Sequence, residues 1–351
     1  MDKFIQLHIL TNYGPSNLNR DDLGRPKTVV IGGVQRLRVS SQCLKRAWRT
    51  AEVFEAALAG HIGTRTKEMG KKIHKDIISG GIKEKEAKEW AAKIAEVFGK
   101  RKDEDKKDPL SDLEIRQLAH FSTEEIIAID SLVKSMIGRK SGPSDEELKL
   151  LRKNHGAADI AMFGRMLADN PAFNAEAAVQ VAHAFTVHKV AVEDDYFSAV
   201  DDLNKHEEHS GSGHIGEAEF GAGLFYLYVC IDRALLKENL GNNEELAKKA
   251  ISVLVESAVT VSPIGKQNSF ASRAYASYVL AEKGDKQPRS LACAFLKPVN
   301  GDDVADSAVD IIKKTRETFN KVYGDETEPY ELNAVKGEGA LEGLKKYCVE
   351  K

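Results

Sequence analysis

The chain has 351 residues, with 51 Lys+Arg against 54 Asp+Glu and a formal net charge of −3. At 42% hydrophobic and 30% charged, with no apolar run of membrane-spanning length, it is neither a membrane-embedded nor a low-complexity sequence. Its length suits two domains, or one domain with a large insertion. Cys43, Cys230, Cys293 and Cys348 are widely separated; no CxxC or other zinc spacing appears and nothing points to a disulfide framework, so free buried thiols in a reducing cytoplasm are expected.

The opening residues, MDKFIQLHIL, alternate at Ile5, Leu7 and Ile9, which predicts a strand and not a secretory signal. The turn-rich loop GPSNLNRDDLGRPK follows and holds Arg20, Asp21 and Asp22. A short hairpin, residues 28–30 and 34–39, leads into a helix opening near Ser41. From about 60 to 170 the chain is lysine-rich and helix-patterned, most clearly in IKEKEAKEWAAKIAEVFGK and STEEIIAIDSLVKSMI. Residues 177–190 and 220–231 read as strands and about 244–259 as a helix. The apolar run 291–296 is expected to be a last strand, and about 303–322 a C-terminal helix. Without the insertions the order is strand, helix, strand, strand, helix, strand, which RNA-recognition folds share. The expected class is therefore α+β: a ferredoxin-like, RRM-like platform from residues 1–59, 171–190 and 219–351, a helical insertion at 60–170, and a second insertion at 191–218.

The charges are unevenly placed. Residues 1–50 hold nine Lys/Arg and three Asp/Glu, so they carry +6 and the remainder −9. On the predicted helix, Gln42, Lys45, Arg46 and Arg49 share one face, with Leu44, Ala47, Trp48 and Ala51 opposite. Ser40 and Ser41 stand at the cap position, where backbone N–H groups add to the positive field. Arg36 and Arg38 share one face of the preceding strand, with Leu37 and Val39 on the other. Hydroxyls, backbone donors and a file of cations suit a phosphate backbone; a solvated helix face is the alternative.

The second insertion, AVEDDYFSAVDDLNKHEEHSGSGHIGE, sets Tyr196 and Phe197 in acidic flanks. Such a pair is expected to stack on or wedge between bases, to dock on a protein, or to fold back onto the chain's own core. Other chemistry is thinner. His206, Glu207, Glu208 and His209 suggest a metal site or a mobile loop. Gly211, Gly213 and Gly216 lack a dinucleotide or P-loop context. Cys43 sits in the basic segment, whose charge favours a lowered thiol pKa, but is read as an inert packed thiol; His183 is read as a core residue on the face of Val181, Phe185 and Val187.

Several collinear blocks carry a resemblance: SNLNRDD (16–22), GG-x-x-R-x-R-x-SSQ-x-LKRA-x-R (32–49), DIAMFGRM (159–166), AVQVAHAFTVH (178–188), DDYFSAVDDL (194–203), HIG-x-x-EF-x-x-G-x-FY (214–226) and GKQNSFA (265–271). In these the chain resembles the backbone subunit of the type I-E CRISPR Cascade complex, CasC, of the Cas-seven family. The resemblance covers most of residues 1 to about 300 and is poor over about 60–155 and at the C-terminus. It implies a hand-like protein with a palm, helical fingers and a thumb. Copies would stack head to tail along a guide RNA (crRNA), kink it at intervals, and leave it to pair with target DNA in antiviral defence. The other partners implied are the large, small, handle-capping and crRNA-processing subunits, with no cofactor and no membrane.

By the same resemblance Arg20, Ser40, Gln42, Lys45, Arg46 and Arg49 would contact guide RNA from the palm. Met166 would pack beside the kink, and Tyr196 and Phe197 would be thumb-tip aromatics, Tyr196 standing where the family often has Trp. A basic group in the fingers would touch target DNA; the nearest residues are Lys134, Arg139, Lys140, Lys149, Arg152 and Lys153, for which a solvated helix surface is the alternative. The expected protein is not an enzyme. The rival is a metal-dependent RNA-cleaving backbone subunit using Asp21/Asp22, since related type III subunits cut RNA with an aspartate in a comparable loop.

Overall fold

The structure is a computed structural model that describes residues 3–153, 155–199, 214–324 and 327–350. It divides into two compact units.

The first unit comprises residues 1–54, 181–231 and 251–351 and is built on a large, mostly antiparallel sheet. Its strands lie in the order Tyr330–Asn333, Ala276–Gly284, β1 (Phe4–Ser16), His214–Asp232, Ala184–Thr186, β3 (Val34–Val39), β2 (Thr28–Ile31). In β1, Ile5, Leu7 and Ile9 are fully buried as the alternation predicts, but Gln6 and His8 between them are buried too. The sheet is covered on both faces there, so its polar residues must find partners inside the protein. The β2–β3 hairpin closes through Gly32 and Gly33, both at positive φ (61° and 78°), which a two-residue turn of this hand requires. Gly32 is further fixed by space: a Cβ there would lie 1.6 Å from the Leu296 carbonyl oxygen.

The run 291–296 is not the expected strand. Ala292–Phe295 forms a 3-10 turn, with Leu291 and Phe295 fully buried. These two join Leu10, Tyr226, Leu280 and Ile312 of the C-terminal helix (Val304–Tyr323) in the core. A short apolar run has the same sequence appearance in a strand and in a buried turn. The strand in its place is Ala276–Gly284, paired with β1 from Phe4↔Gly284 to Leu10↔Tyr278, then shifted at Thr11↔Ala276.

His183 also departs from its expected place. The strand that begins at Ala184 is interrupted just before it, and His183 is exposed, with Val181 only partly buried. Arg36 departs in the opposite sense. It is fully buried and donates to the carbonyls of Thr186 (2.9 Å) and Phe295 (3.1 Å), so it holds the sheet to the 3-10 turn instead of facing outward beside Arg38.

The second unit comprises residues 55–180 and 232–250. Helices Met69–Ser79, Glu84–Glu96 and Thr123–Arg139 bury Ile73, Ile77, Trp90, Ile94, Ile129 and Met136 in one core. A two-stranded ribbon pairs Thr64–Thr66 with Ala119–Phe121. The third helix opens with a reciprocal cap: Ser122 Oγ accepts from Glu125 N (3.2 Å) and Glu125 Oε2 accepts from Ser122 N (2.9 Å). Among the described residues no helix is long and apolar enough to cross a membrane.

Candidate nucleic-acid interface

Helix α1 spans Ser41–Arg49 and sorts its faces as the periodicity predicts. Leu44, Ala47 and Trp48 are buried; Gln42 and Arg46 are exposed; Lys45 and Arg49 are partly exposed. Burial pulls the Lys45 ammonium below its ordinary pKa, because partial loss of water disfavours its charged form. Ser40 is buried, and its hydroxyl caps the helix by accepting from Cys43 N (3.4 Å). Ser40 N donates to Asn19 Oδ1 (2.9 Å), which ties the helix start to the loop carrying Arg20.

That loop is built from its own backbone. Asp21 Oδ1 accepts from the N–H groups of Leu23 and Arg25 (both 2.9 Å), a turn that occupies one oxygen of the carboxylate. Arg20 and Asp22 are exposed. Among the described residues no group of three or more His, Cys, Asp or Glu is placed to hold a metal ion. Burial raises the Cys43 thiol pKa, and Lys27 and Arg20 pull it back only in part. The thiol is therefore not activated, though Lys27 and Arg20 are close enough to α1 for their fields to act on it.

Sequence reasoning passed over Lys27 and misplaced His183. Lys27 lies opposite Arg38 on the extended hairpin, with Arg38 N donating to Lys27 O (2.8 Å). Arg38 Nη1 is 2.7 Å from His183 Nδ1; burial, then Arg38 and Lys27, lower the His183 pKa, so the ring accepts this bond in its neutral form. The hairpin register was the available signal, since it sets Lys27 beside Arg38.

Tyr196 and Phe197 lie on a two-stranded ribbon. Glu193–Ala199 pairs antiparallel with His214–Phe220, in the register Tyr196↔Glu217 and Phe197↔Gly216. All seven residues of Glu193–Ala199 are exposed, Tyr196 at 69% and Phe197 at 46%. Neighbours on a strand project to opposite faces, so the ribbon offers one ring on each side. The Phe197 ring lies over Gly216, where a Cβ would be 2.3 Å from its Cζ. The base of the ribbon is pinned to the Arg20 loop. Asn17 Nδ2 donates to Gly24 O (3.0 Å) and Glu219 O (2.9 Å), and Arg25 pairs with Glu219 (3.1 Å). The candidate metal residues His206, Glu207, Glu208 and His209, with Gly211 and Gly213, lie outside the described residues.

The remaining candidates belong to the second unit. Met166 is 74% exposed and follows a buried anchor. Arg165 pairs with Glu125 (2.7 Å), both almost fully buried, and donates to the carbonyls of His120 and Arg152. Asp159, also fully buried, accepts from Gly63 N (2.9 Å) and pairs with His120 (2.8 Å). The DIAMFGRM block is thus largely a buried polar knot that displays Met166. Of the basic candidates, Lys134, Lys140 and Lys153 are exposed. Arg139 forks onto Glu147 (2.5 and 2.7 Å), Lys149 pairs with Glu146 (2.7 Å), and Arg152 donates to Lys149 O (2.8 Å).

The first unit thus brings a basic loop, a capped cationic helix and an aromatic ribbon onto one sheet, an arrangement suited to an extended polyanion. The solved structures that share the fold include the following two chains. One, described as "CRISPR RNA-guided surveillance complex, pre-nicking", is 31% identical, with a TM-score of 0.86 and coverage of 99% of each chain. Another, described as "CRISPR RNA-guided surveillance complex", is 28% identical, with a TM-score of 0.62 and coverage of 97% of this chain and 92% of the other. No curated protein sequence matches. The model of the CT1975-like protein family matches residues 5–349, and the chain belongs to that family, a Cas-seven-type family.

Proposed function

We propose that this chain is a guide-RNA-binding backbone subunit of a CRISPR surveillance complex, of the type I-E CasC kind, and that it is non-catalytic. The observation that carries the reading is the cationic face of α1, capped by buried Ser40 and joined through Asn19 to the Arg20 loop. Cations on a rigid helix, backed by an apolar face in the core, hold a sugar–phosphate chain without reading its sequence. The order of Ala276–Gly284, β1, His214–Asp232 and Ala184–Thr186 supports a ferredoxin-like palm.

In this reading copies assemble head to tail along the crRNA in the cytoplasm, beside the large, small, handle-capping and crRNA-processing subunits. The aromatic ribbon kinks the guide, and the intervening bases pair with target DNA. Met166 packs beside the kink, and exposed Lys134, Lys140 and Lys153 are available to target DNA.

The test is purification of the expressed complex followed by nucleic-acid extraction. Short RNAs of uniform length with a repeated flanking sequence support the reading; a preparation free of RNA sinks it. The rival, a metal-dependent ribonuclease using Asp21 and Asp22, predicts Mg²⁺-dependent cleavage of a complementary RNA that Asp22→Ala abolishes. The Asp21 turn supports the non-catalytic reading, because it uses that carboxylate to hold the loop.

A further inference from the structure

The loop from Ser262 to Tyr275 is built with unusual care for a surface segment. Its ends are clamped: Ser262 Oγ accepts from Ala274 N (2.8 Å) and donates to Ala274 O (3.0 Å). Inside it, Lys266 (φ 43°) and Ala271 (φ 49°) hold left-handed backbone conformations and bracket the single turn Gln267–Phe270. Non-glycine residues keep that conformation where the surroundings over-determine it. One such constraint is Gly265, where a Cβ would lie 2.2 Å from the Leu18 carbonyl oxygen, so the loop presses against the corner that leads to Arg20. The other is the Phe270 ring, 6.0 Å from Phe220 at the base of the aromatic ribbon. The loop therefore touches both the basic loop and the ribbon.

Its chemistry matches that position. Residues 257–281 contain no Asp or Glu, and residues 23–51, which include α1, contain none either. The contact of Gly265 with Leu18 sets the first acid-free stretch against the corner that leads through Arg20, Asp21 and Asp22 into the second, in a chain where acidic residues outnumber Lys+Arg. Asn268, Ser269, Arg273 and Tyr275 are exposed and Lys266 is partly exposed. Cations, amide, hydroxyl and aromatic groups without carboxylates are the donor set that binds single-stranded RNA through phosphate, 2′-hydroxyl and base face.

We infer that the 262–275 loop is a second RNA-binding element, with Lys266 and Arg273 engaging phosphates of the strand segment that continues from α1 toward the aromatic ribbon. The inference rests on the RNA-binding reading given above. The test uses the full-length protein, a fluorescein-labelled single-stranded RNA of mixed sequence, and a salt series. Lys266→Ala with Arg273→Ala lowers affinity several-fold and makes the slope of log K against log[salt] shallower by about 1.4, roughly 0.7 for each phosphate no longer neutralised. Lys314→Ala with Lys321→Ala, exposed cations of the C-terminal helix, leaves the slope unchanged.

A parental slope in the Lys266/Arg273 variant, while Lys45→Ala with Arg49→Ala loses binding, overturns this inference and leaves the RNA-binding reading intact. If the Lys45/Arg49 variant also binds like the parent, the RNA-binding reading fails with it. An equal loss in the Lys314/Lys321 control overturns the assignment, since the effect is then bulk charge. A variant that binds RNA normally but no longer forms oligomers makes the loop a protein contact and equally overturns it.

Discussion

Glu282→Gln tests the buried polar face of the sheet. The Glu282 carboxylate is 3% exposed and accepts from His8 Nε2 (3.1 Å), Arg289 Nη1 (2.9 Å) and Nη2 (3.0 Å), and Arg316 Nε (2.7 Å). It joins β1, the strand Ala276–Gly284 and the C-terminal helix. Burial alone pushes this carboxyl up, but the His8 hydrogen bond and the hydrogen bonds and charge of Arg289 hold it well below the usual carboxylate range. His8 is pushed down by burial and only partly drawn back by Glu282, so it is neutral: Nε2–H donates to Glu282 and Nδ1 accepts from the Tyr226 hydroxyl (2.9 Å). Glutamine keeps the shape and removes the charge that two guanidiniums share. Breaking a buried pair costs about 3–5 kcal/mol. Arg289 and Arg316 retain 20% and 13% exposure, so solvent reduces this to about 2–4 kcal/mol. For a unit of about 200 residues that lowers Tm by roughly 5–12 °C.

The pH dependence separates the two groups. The native Glu282 pKa is depressed, so its contribution is present above the unfolded value, about 4.3, and is lost as pH falls through the native value. His8 is also depressed, so its contribution is complete above about 6.5 and declines below that. The Tm gap between parent and Glu282→Gln is therefore expected to hold from pH 7 to about 5 and to narrow below about 4. Thermal melts followed by circular dichroism across that range check this. A variant within 1 °C of the parent at pH 7, or a gap that stays constant into acid, refutes the argument.

Lys45→Ala, Arg46→Ala and Arg49→Ala combined are expected to reduce the salt slope of single-stranded RNA binding by about 2.1, equally for unrelated sequences; sequence-dependent losses in an anisotropy titration count against a backbone contact. Tyr196→Ala and Phe197→Ala are each expected to cost about 1–3 kcal/mol of RNA binding. Because the rings project to opposite faces, the two losses add within about 0.5 kcal/mol; a double-mutant cycle with coupling above 1 kcal/mol means both rings share one base. Arg165→Met leaves Glu125 buried without its partner and is expected to destabilise the second unit by about 3 kcal/mol. Proteolysis or hydrogen exchange localised to residues 120–166 reports it, and protection equal to the parent contradicts the assignment.

Local periodicity determined much of this protein. The two faces of α1, the Gly-Gly hairpin and the helix near 244–260 follow from spacing alone, because a helix or hairpin sorts residues by near neighbours. The blocks around α1, the aromatic pair and DIAMFGRM were likewise legible as sequence. What tertiary structure decided is where polar residues end. Arg36 and Arg38 alternate identically on β3, yet Arg36 is buried because the Phe295 turn covers it, while Arg38 meets His183. Ala276–Gly284 does not read as a strand in sequence because its buried carboxylate, Glu282, is tolerated only with His8, Arg289 and Arg316 around it, and His8 lies far away in the chain. The run 291–296 packs as a turn because Leu291 and Phe295 serve one core that distant segments build. Spacing reports which residues share a face; only the folded chain determines whether that face meets water, another strand or a charge of opposite sign, since the desolvation cost depends on partners remote in sequence.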